Sequence, residues 1–200
     1  MTVAFMIIAI NLLAQVTGNL VDSRNGRQYK TVKIGTQIWM AENLAFKATS
    51  GCYAYENNEN NAKIYGYLYN WETATKVCPS GWHLPSKLEW ATLNTYLGGD
   101  SLSHVKLIEV GSNHWKNPDP TVTNESGFTA LPGGLFSASN FRPDIKFEHI
   151  GNYGYWWSAT EDSEPGSLNA WFRVLGDYFK NEEMDVASKV RGSSVRCVKN

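Results

Sequence analysis

Residues 85–99, PSKLEWATLNTYLGG, leave the chain little choice of local structure. Ser86 and Glu89 have the spacing of a capping box: the hydroxyl takes the amide three residues on, and the carboxylate reaches back to the cap amide. Trp90, Leu93 and Leu97 recur at i, i+3 and i+7 and glycine follows at once, so a helix is expected from about 87 to 97. Beyond it the chain changes character, and Gly, Pro, Asn and Ser punctuate short β-prone runs at 128–131, 153–160, 170–175 and 194–198. Earlier, the runs 29–34 and 37–40 flank Gly35-Thr36, the Gly-X connection of a type II′ hairpin. Residues 57–61 (NNENN) read as a polar loop, and Leu68, Trp71 and Ala74 or Thr75 place a second helix within 65–77. Helices first and strands later, without βαβ alternation, predict an α+β fold with two helices and irregular antiparallel strands.

The 200 residues suffice for one domain with a substantial core, and no linker or internal repeat divides them. Residues 1–14, MTVAFMIIAINLLA, are apolar without a break from 3 to 10, too short a run to cross a bilayer that needs about 20 residues. They fit a secretory signal peptide cut between Ala14 and Gln15, the alternative being a buried N-terminal element. Residues 15–200 then form the single mature domain, exported to the cell surface or medium, and no other stretch reaches membrane-spanning length. The formal charge is -1, so no cationic field awaits nucleic acid. The three cysteines, Cys52, Cys78 and Cys197, predict one disulfide and one leftover thiol in an exported protein, and spacing does not choose among the pairs.

No phosphate-cradling glycine loop, GxSxG elbow or HExxH helix occurs. His83 lies between bulky neighbours before the capped helix and reads as structural, while His114 and His149 lie in loops that could meet a ligand. Glu161, Asp162 and Glu164 are the candidates for calcium, but they lack EF-hand spacing and read better as a solvated acidic loop. Trp39, Trp71, Trp82, Trp90 and Trp157 are expected in the core. Strand neighbours face opposite ways, so one of Trp156 and Trp157 meets a second layer, a loop or a ligand, which makes Trp156 a candidate binding residue. The long stretch 137–152 sets Phe141, Arg142, Asp144, Glu148 and His149 among stacking and polar surfaces, and it is the expected ligand-binding surface.

Six motifs in order carry a family resemblance: KIGTQIWMAENL from Lys33, YGYLYNW from Tyr65, CPSGWHLP from Cys78, NESGFTALPGG from Asn124, YWWSAT from Tyr155 and SVRCV from Ser194. Together, over about residues 29–199, they resemble the Fibrobacter succinogenes major paralogous domain family. That resemblance implies a C-type lectin-like fold, shared with the formylglycine-generating enzymes, and an exported bacterial protein. It also implies a disulfide between Cys78 and Cys197, because the lectin-like fold commonly ties the helix entry to the last strand. Activities do not carry over with it. The late cysteine pair that holds copper in formylglycine-generating enzymes is absent, as are the tripeptides through which calcium-dependent lectins read sugars.

Taken together, these readings lead to an exported, non-catalytic binding module with no catalytic residues and no required cofactor, recognising glycan or protein at the cell surface. The alternatives are an enzyme on the formylglycine-enzyme branch of the fold, using Cys52 or a loop histidine, and a structural envelope or adhesin subunit. A polar cleft edged by an aromatic favours the first, perturbed titratable groups in a pocket the second, and exposed apolar patches the third.

Overall fold

The computed structural model describes residues 15–137, 147–176 and 184–200; the proposed leader 1–14 and the candidates Phe141, Arg142 and Asp144 lie outside them. Strands β1 (Thr17–Val21), β2 (Gln28–Ile34) and β3 (Gln37–Met40) run antiparallel, and β2 and β3 pair from Ile34↔Gln37 to Thr31↔Met40. The turn between them needs a positive φ at its first central residue, which Gly35 supplies at +60°, as a type II′ turn requires. β4 (Cys52–Tyr53) precedes helix α1 (Glu59–Tyr65), β5 (Leu68–Tyr69) and the single turn α2 (Trp71–Ala74). β6 (Trp82–His83) leads into α3 (Lys87–Tyr96) and α4 (Asp100–Leu107). The remaining strands are β7 (Leu135–Phe136), β8 (Phe147–Glu148), β9 (Tyr153–Glu161), β10 (Asn169–Gly176), β11 (Met184–Ser188) and β12 (Val198–Lys199). They assemble as β1-β2-β3-β12-β6, β11-β10-β9, β4-β5 and β7-β8, with every strand pair antiparallel, which is a mixed α+β architecture.

The capped helix forms as the sequence predicts, with both arms of the Ser86–Glu89 box made. Other expectations need correction. The polar run 57–61 is not a loop, because the Asn58 side chain caps the amide of Asn60 and starts α1. The helix expected over 65–77 is reduced to α2, since Tyr67 and Tyr69 give their amides to the distant carbonyls of Leu44 and Ser193 at 3.1 and 2.8 Å and Leu68–Tyr69 pairs as β5. Four α-helices, not two, stand among the described residues, and six strands precede α3. The run 128–131 is no strand beyond a bridge between Ala130 and Ile108. The run 194–198 pairs as a strand only at its end, because it lies between two sheets and bonds to both. Ser194 exchanges bonds with Tyr155 and Trp157, while Val195 and Cys197 accept from Leu44 and Met40.

Two buried clusters flank β9. Trp157 packs on one side with Tyr69, Tyr155, Phe172 and Val195, and Trp156 on the other with Trp39, Trp90 and Phe128. The alternation of the tryptophans is therefore between two core layers. Trp156, expected as a ligand contact, is instead fully buried and donates through Nε1 to Asn43 Oδ1 at 2.8 Å. Asn43 is a junction. Its Nδ2 donates to the Tyr65 carbonyl at 2.7 Å, and its Oδ1 also accepts from Arg196 Nε at 2.9 Å. Arg196, wholly buried, gives Nη1 to the Phe128 carbonyl and Nη2 to that of Thr129 at 2.6 Å. Its guanidinium also lies 4.1 Å from the centre of the Phe128 ring. A buried cation without hydrogen bonds is costly, and here all three nitrogens are satisfied. Five of the six motifs contribute to this one node: Asn43, Tyr65, Phe128 with Thr129, Trp156 and Arg196. The sixth is locked to it by the disulfide between Cys78 and Cys197, the pairing the resemblance implied.

Candidate functional site

The short strands β7 and β8 pair Leu135 with Glu148 and Phe136 with Phe147. Just after β8 the chain turns through His149, whose φ of +72° is uncommon for a side chain with a Cβ. The turn is held by its own carbonyl, which accepts the amides of Asn152 and Tyr153 at 3.0 Å. It seats against Gly134, where an added Cβ would stand 2.4 Å from the Glu148 carbonyl oxygen and where φ is +66°. Glycine at the end of the LPGG motif is thus what lets the turn come close.

The turn aims His149 at the aromatic face of β9. Its Nδ1 and the Tyr155 hydroxyl share a 2.8 Å hydrogen bond, and the Tyr153 ring meets the imidazole edge-on at 5.3 Å. Glu148 is part-exposed beside it, with a carboxylate oxygen 3.9 Å from His149 Nε2. Burial lowers the His149 pKa against the opposing charge of Glu148, with the Arg191 charge acting in the same sense as burial. Burial likewise raises the Tyr155 pKa to about 12. The pair is therefore neutral near pH 7.

Arg191 completes the cluster. It follows β11 in a turn closed by its amide on the Ser188 carbonyl at 3.0 Å. Its guanidinium carbon lies 4.4 Å from the centre of the Tyr155 ring and 4.3 Å from that of Phe172. Among the described residues, Nε and Nη2 are buried and have no hydrogen-bond partner. Burial brings the pKa down to about 10, opposed by the charges of Tyr155, Asp185 and Glu148, so the group stays cationic at neutral pH. Sequence reasoning missed Arg191. The signal available was a cation in a chain with only 18% charged residues, three positions before the last motif begins.

The other candidates do not join this cluster. Glu161 pairs with Lys189 at 2.7 Å and Asp162 accepts from Ser167 at 2.8 Å, and among the described residues no group of three or more His, Cys, Asp or Glu is placed to hold a metal. Glu164 lies in the same loop without joining such a group. His83 is clasped between Asn200 and Glu89, each at 2.7 Å, and His114 pairs with Glu109 at 2.9 Å. Cys52 is a free, half-buried thiol that donates to the Ala48 carbonyl, and burial raises its pKa. Two concavities lie elsewhere. A cleft of about 750 Å³ between β1, β2 and the 124–129 turn is lined by Asn19, Lys30, Glu42, Asn124 and Thr129, with no aromatic ring among the described residues. A groove of about 600 Å³ separates the Gly35 turn from α3, edged by the exposed Leu88 and Tyr96.

A mixed α+β domain whose ordered motifs meet at one buried node defines the class of the protein. The profile of the Fibrobacter succinogenes major domain (Fib_succ_major) matches residues 32–199, and the chain belongs to that family. No curated protein and no solved structure matches the chain.

Proposed function

We propose that the protein is an exported, non-catalytic binding module of a bacterial cell surface or secretome. On this reading a lectin-like scaffold presents the surface around Glu148, His149 and Arg191 to a glycan or protein. The observation that carries the reading is Arg191, a buried cation whose Nε and Nη2 have no hydrogen-bond partner among the described residues, beside a histidine in a strained backbone conformation. An unpartnered buried donor and a positive φ at a residue with a Cβ each call for an explanation, and binding supplies one.

Several features support binding over catalysis. Tyr155 is held protonated, His149 neutral and the Cys52 thiol protonated, so none is an activated nucleophile. Export is supported by the disulfide, which an oxidising compartment favours, and no helix among the described residues is long and apolar enough to cross a membrane. Independence from calcium is supported by the engagement of Glu161 with Lys189 and of Asp162 with Ser167. The structural-subunit reading draws on one observation, the apolar groove beside Leu88 and Tyr96, which are 76% and 61% exposed.

A glycan array probed with the full chain, in calcium and in chelator, tests the reading. The expected result is a saccharide class retained equally in both and lost in His149→Ala. An array without a bound saccharide removes the glycan and leaves a protein ligand, and binding that needs calcium contradicts the reading.

A further inference from the structure

The five-stranded sheet ends on β1, and no strand among the described residues pairs with its outer edge. The direction of its free groups follows from the register. The Val16 carbonyl accepts the amide of Lys33, directly opposite, at 2.9 Å. Such bonded pairs alternate along an antiparallel ladder, so Gly18 and Leu20 bond to β2, while Thr17, Asn19 and Val21 turn their N–H and C=O groups outward. All three residues are exposed. The opposite edge of the sheet, β6, is only two residues long, and the edge strand β11 carries Asp185. β1 has five residues and neither a charge nor a proline, the devices that keep an open edge from pairing.

Two lysines flank this edge. Lys30 lies opposite Asn19 and Lys33 opposite Val16, and the alternation of side chains sends them to opposite faces of the sheet. Both are exposed. Among the described residues the lysines in ion pairs are Lys47, Lys76, Lys106 and Lys189, so neither of these two has a carboxylate partner. Glu42, which accepts the Lys30 amide at 2.8 Å, offsets one of the two charges and leaves the flank cationic. On the Asn19 face the cleft of about 750 Å³, lined by Thr17, Asn19 and Lys30, gives an incoming side chain room. A strand added to β1 would lie about 4.8 Å beyond it, and a Lys and a Glu side chain together bridge the two strand spacings to β2.

Charge also selects the occupant. Residues 1–14 contain no Asp or Glu, and the β1 edge of a second copy would bring its own Lys30 and Lys33 to the seam. An acidic strand of another polypeptide meets both lysines without that repulsion.

We propose that β1 takes an extended acidic segment of another polypeptide as an added antiparallel strand, bonded to Thr17, Asn19 and Val21. One carboxylate opposite Asn19 reaches Lys30, and a second, three residues further on, reaches Lys33. This surface is made of other residues than the one around His149 and does not rest on it.

Fluorescence anisotropy of a labelled peptide, Thr-Val-Glu-Val-Thr-Glu-Val-Thr, titrated with the full chain tests the proposal. Its counterparts are the same peptide with Gln for both Glu, and one N-methylated on the alternate amides that face β1. The expected result is that the Glu peptide binds at least about tenfold more tightly than the Gln peptide, and that Lys30→Gln with Lys33→Gln removes the difference. Asn19→Pro deletes an outward N–H and no bond of the β1–β2 ladder, and it should weaken binding at least about tenfold. Should that variant fold poorly, the methylated peptide reads the same bonds on the wild type and should not bind. Equal affinity for the Glu and Gln peptides overturns the acidic assignment, and undiminished binding of the methylated peptide overturns strand addition. Failure of all three peptides to bind overturns the proposal and leaves the surface around His149 untouched. A dimer of the chain in sedimentation that Asn19→Pro dissolves overturns it in favour of a second copy.

Discussion

Arg191 and Arg196 lie five residues apart near the end of the sequence, and the guanidinium of each is stacked on aromatic rings, Arg196 fully buried and Arg191 partly. Arg196 has every nitrogen bonded, to Asn43 and to the carbonyls of Phe128 and Thr129. Arg191 has Nε and Nη2 bonded to nothing among the described residues. Burying a guanidinium is costly in both places, but only at Arg196 do the surrounding protein groups offset the cost. The difference follows the motifs: five of the six converge on Arg196, while Arg191 lies between motifs, in the cluster with Glu148 and His149.

That separation can be strained in three ways. The largest effect is expected from removing the disulfide, which fastens the CPSGWHLP segment to the strand carrying Arg196 across a sequence separation of 119 residues. Chain entropy predicts a loss of about 4 to 5 kcal/mol for Cys78→Ala with Cys197→Ala, measured by urea denaturation. A loss below about 1 kcal/mol would show the node to be independent of that clamp. Next comes Asn43→Ala, which leaves Trp156 Nε1, Arg196 Nε and the Tyr65 carbonyl without their partner. At about 1 to 3 kcal/mol for each buried group left unsatisfied, a loss of about 3 kcal/mol or more is expected, and binding by the surviving folded fraction should be unchanged.

The smallest effect distinguishes two histidines by the sign of their pH dependence. At His83 burial resists protonation, but bonds to Asn200 and Glu89 outweigh it and the pKa is raised above 6.5. Its stabilisation is present below pH 6.5 and is lost as pH rises through the folded value, so His83→Gln should cost more in acid than in mild alkali. His149 is the reverse. Its pKa is lowered below 6.5, so its contribution is present above that pH and is lost as pH falls through the folded value. Stability of the two variants followed from about pH 5 to 8 should therefore diverge from wild type in opposite directions, and parallel curves would dissolve the contrast.

What the sequence disclosed follows the range of the interactions. The capping box of α3 and the Gly35 hairpin are complete within a few residues, and both stand as read. α1 was legible in principle, since Asn58 is a good cap, but a run of asparagines hides which one caps. The alternation of Trp156 and Trp157 was readable from the strand period, but whether the second face meets solvent or another core layer depends on residues far away, such as Trp39 and Phe128. Arg196 and Asn43 are separated by 153 residues, and no spacing rule connects them. In the candidate site, Glu148 and His149 were singled out from the length of their loop. Arg191 is brought to them by long-range pairings, of Gly192 with Phe136 and of Ser194 with β9, between segments that the sequence does not link.

One measurement addresses the contrast directly: denaturant unfolding of Arg196→Met and Arg191→Met under identical conditions. Methionine keeps much of the apolar stem and removes the charge in each case. The expected result is a loss of about 3 kcal/mol or more for Arg196→Met, which strands the Phe128 and Thr129 carbonyls in the core. For Arg191→Met the expected change is less than about 1 kcal/mol, or a gain, because no bonded partner among the described residues is lost and a buried charge disappears. Comparable destabilisation by the two substitutions would contradict the account, since Arg191 would then be part of the scaffold and not held in readiness for a ligand.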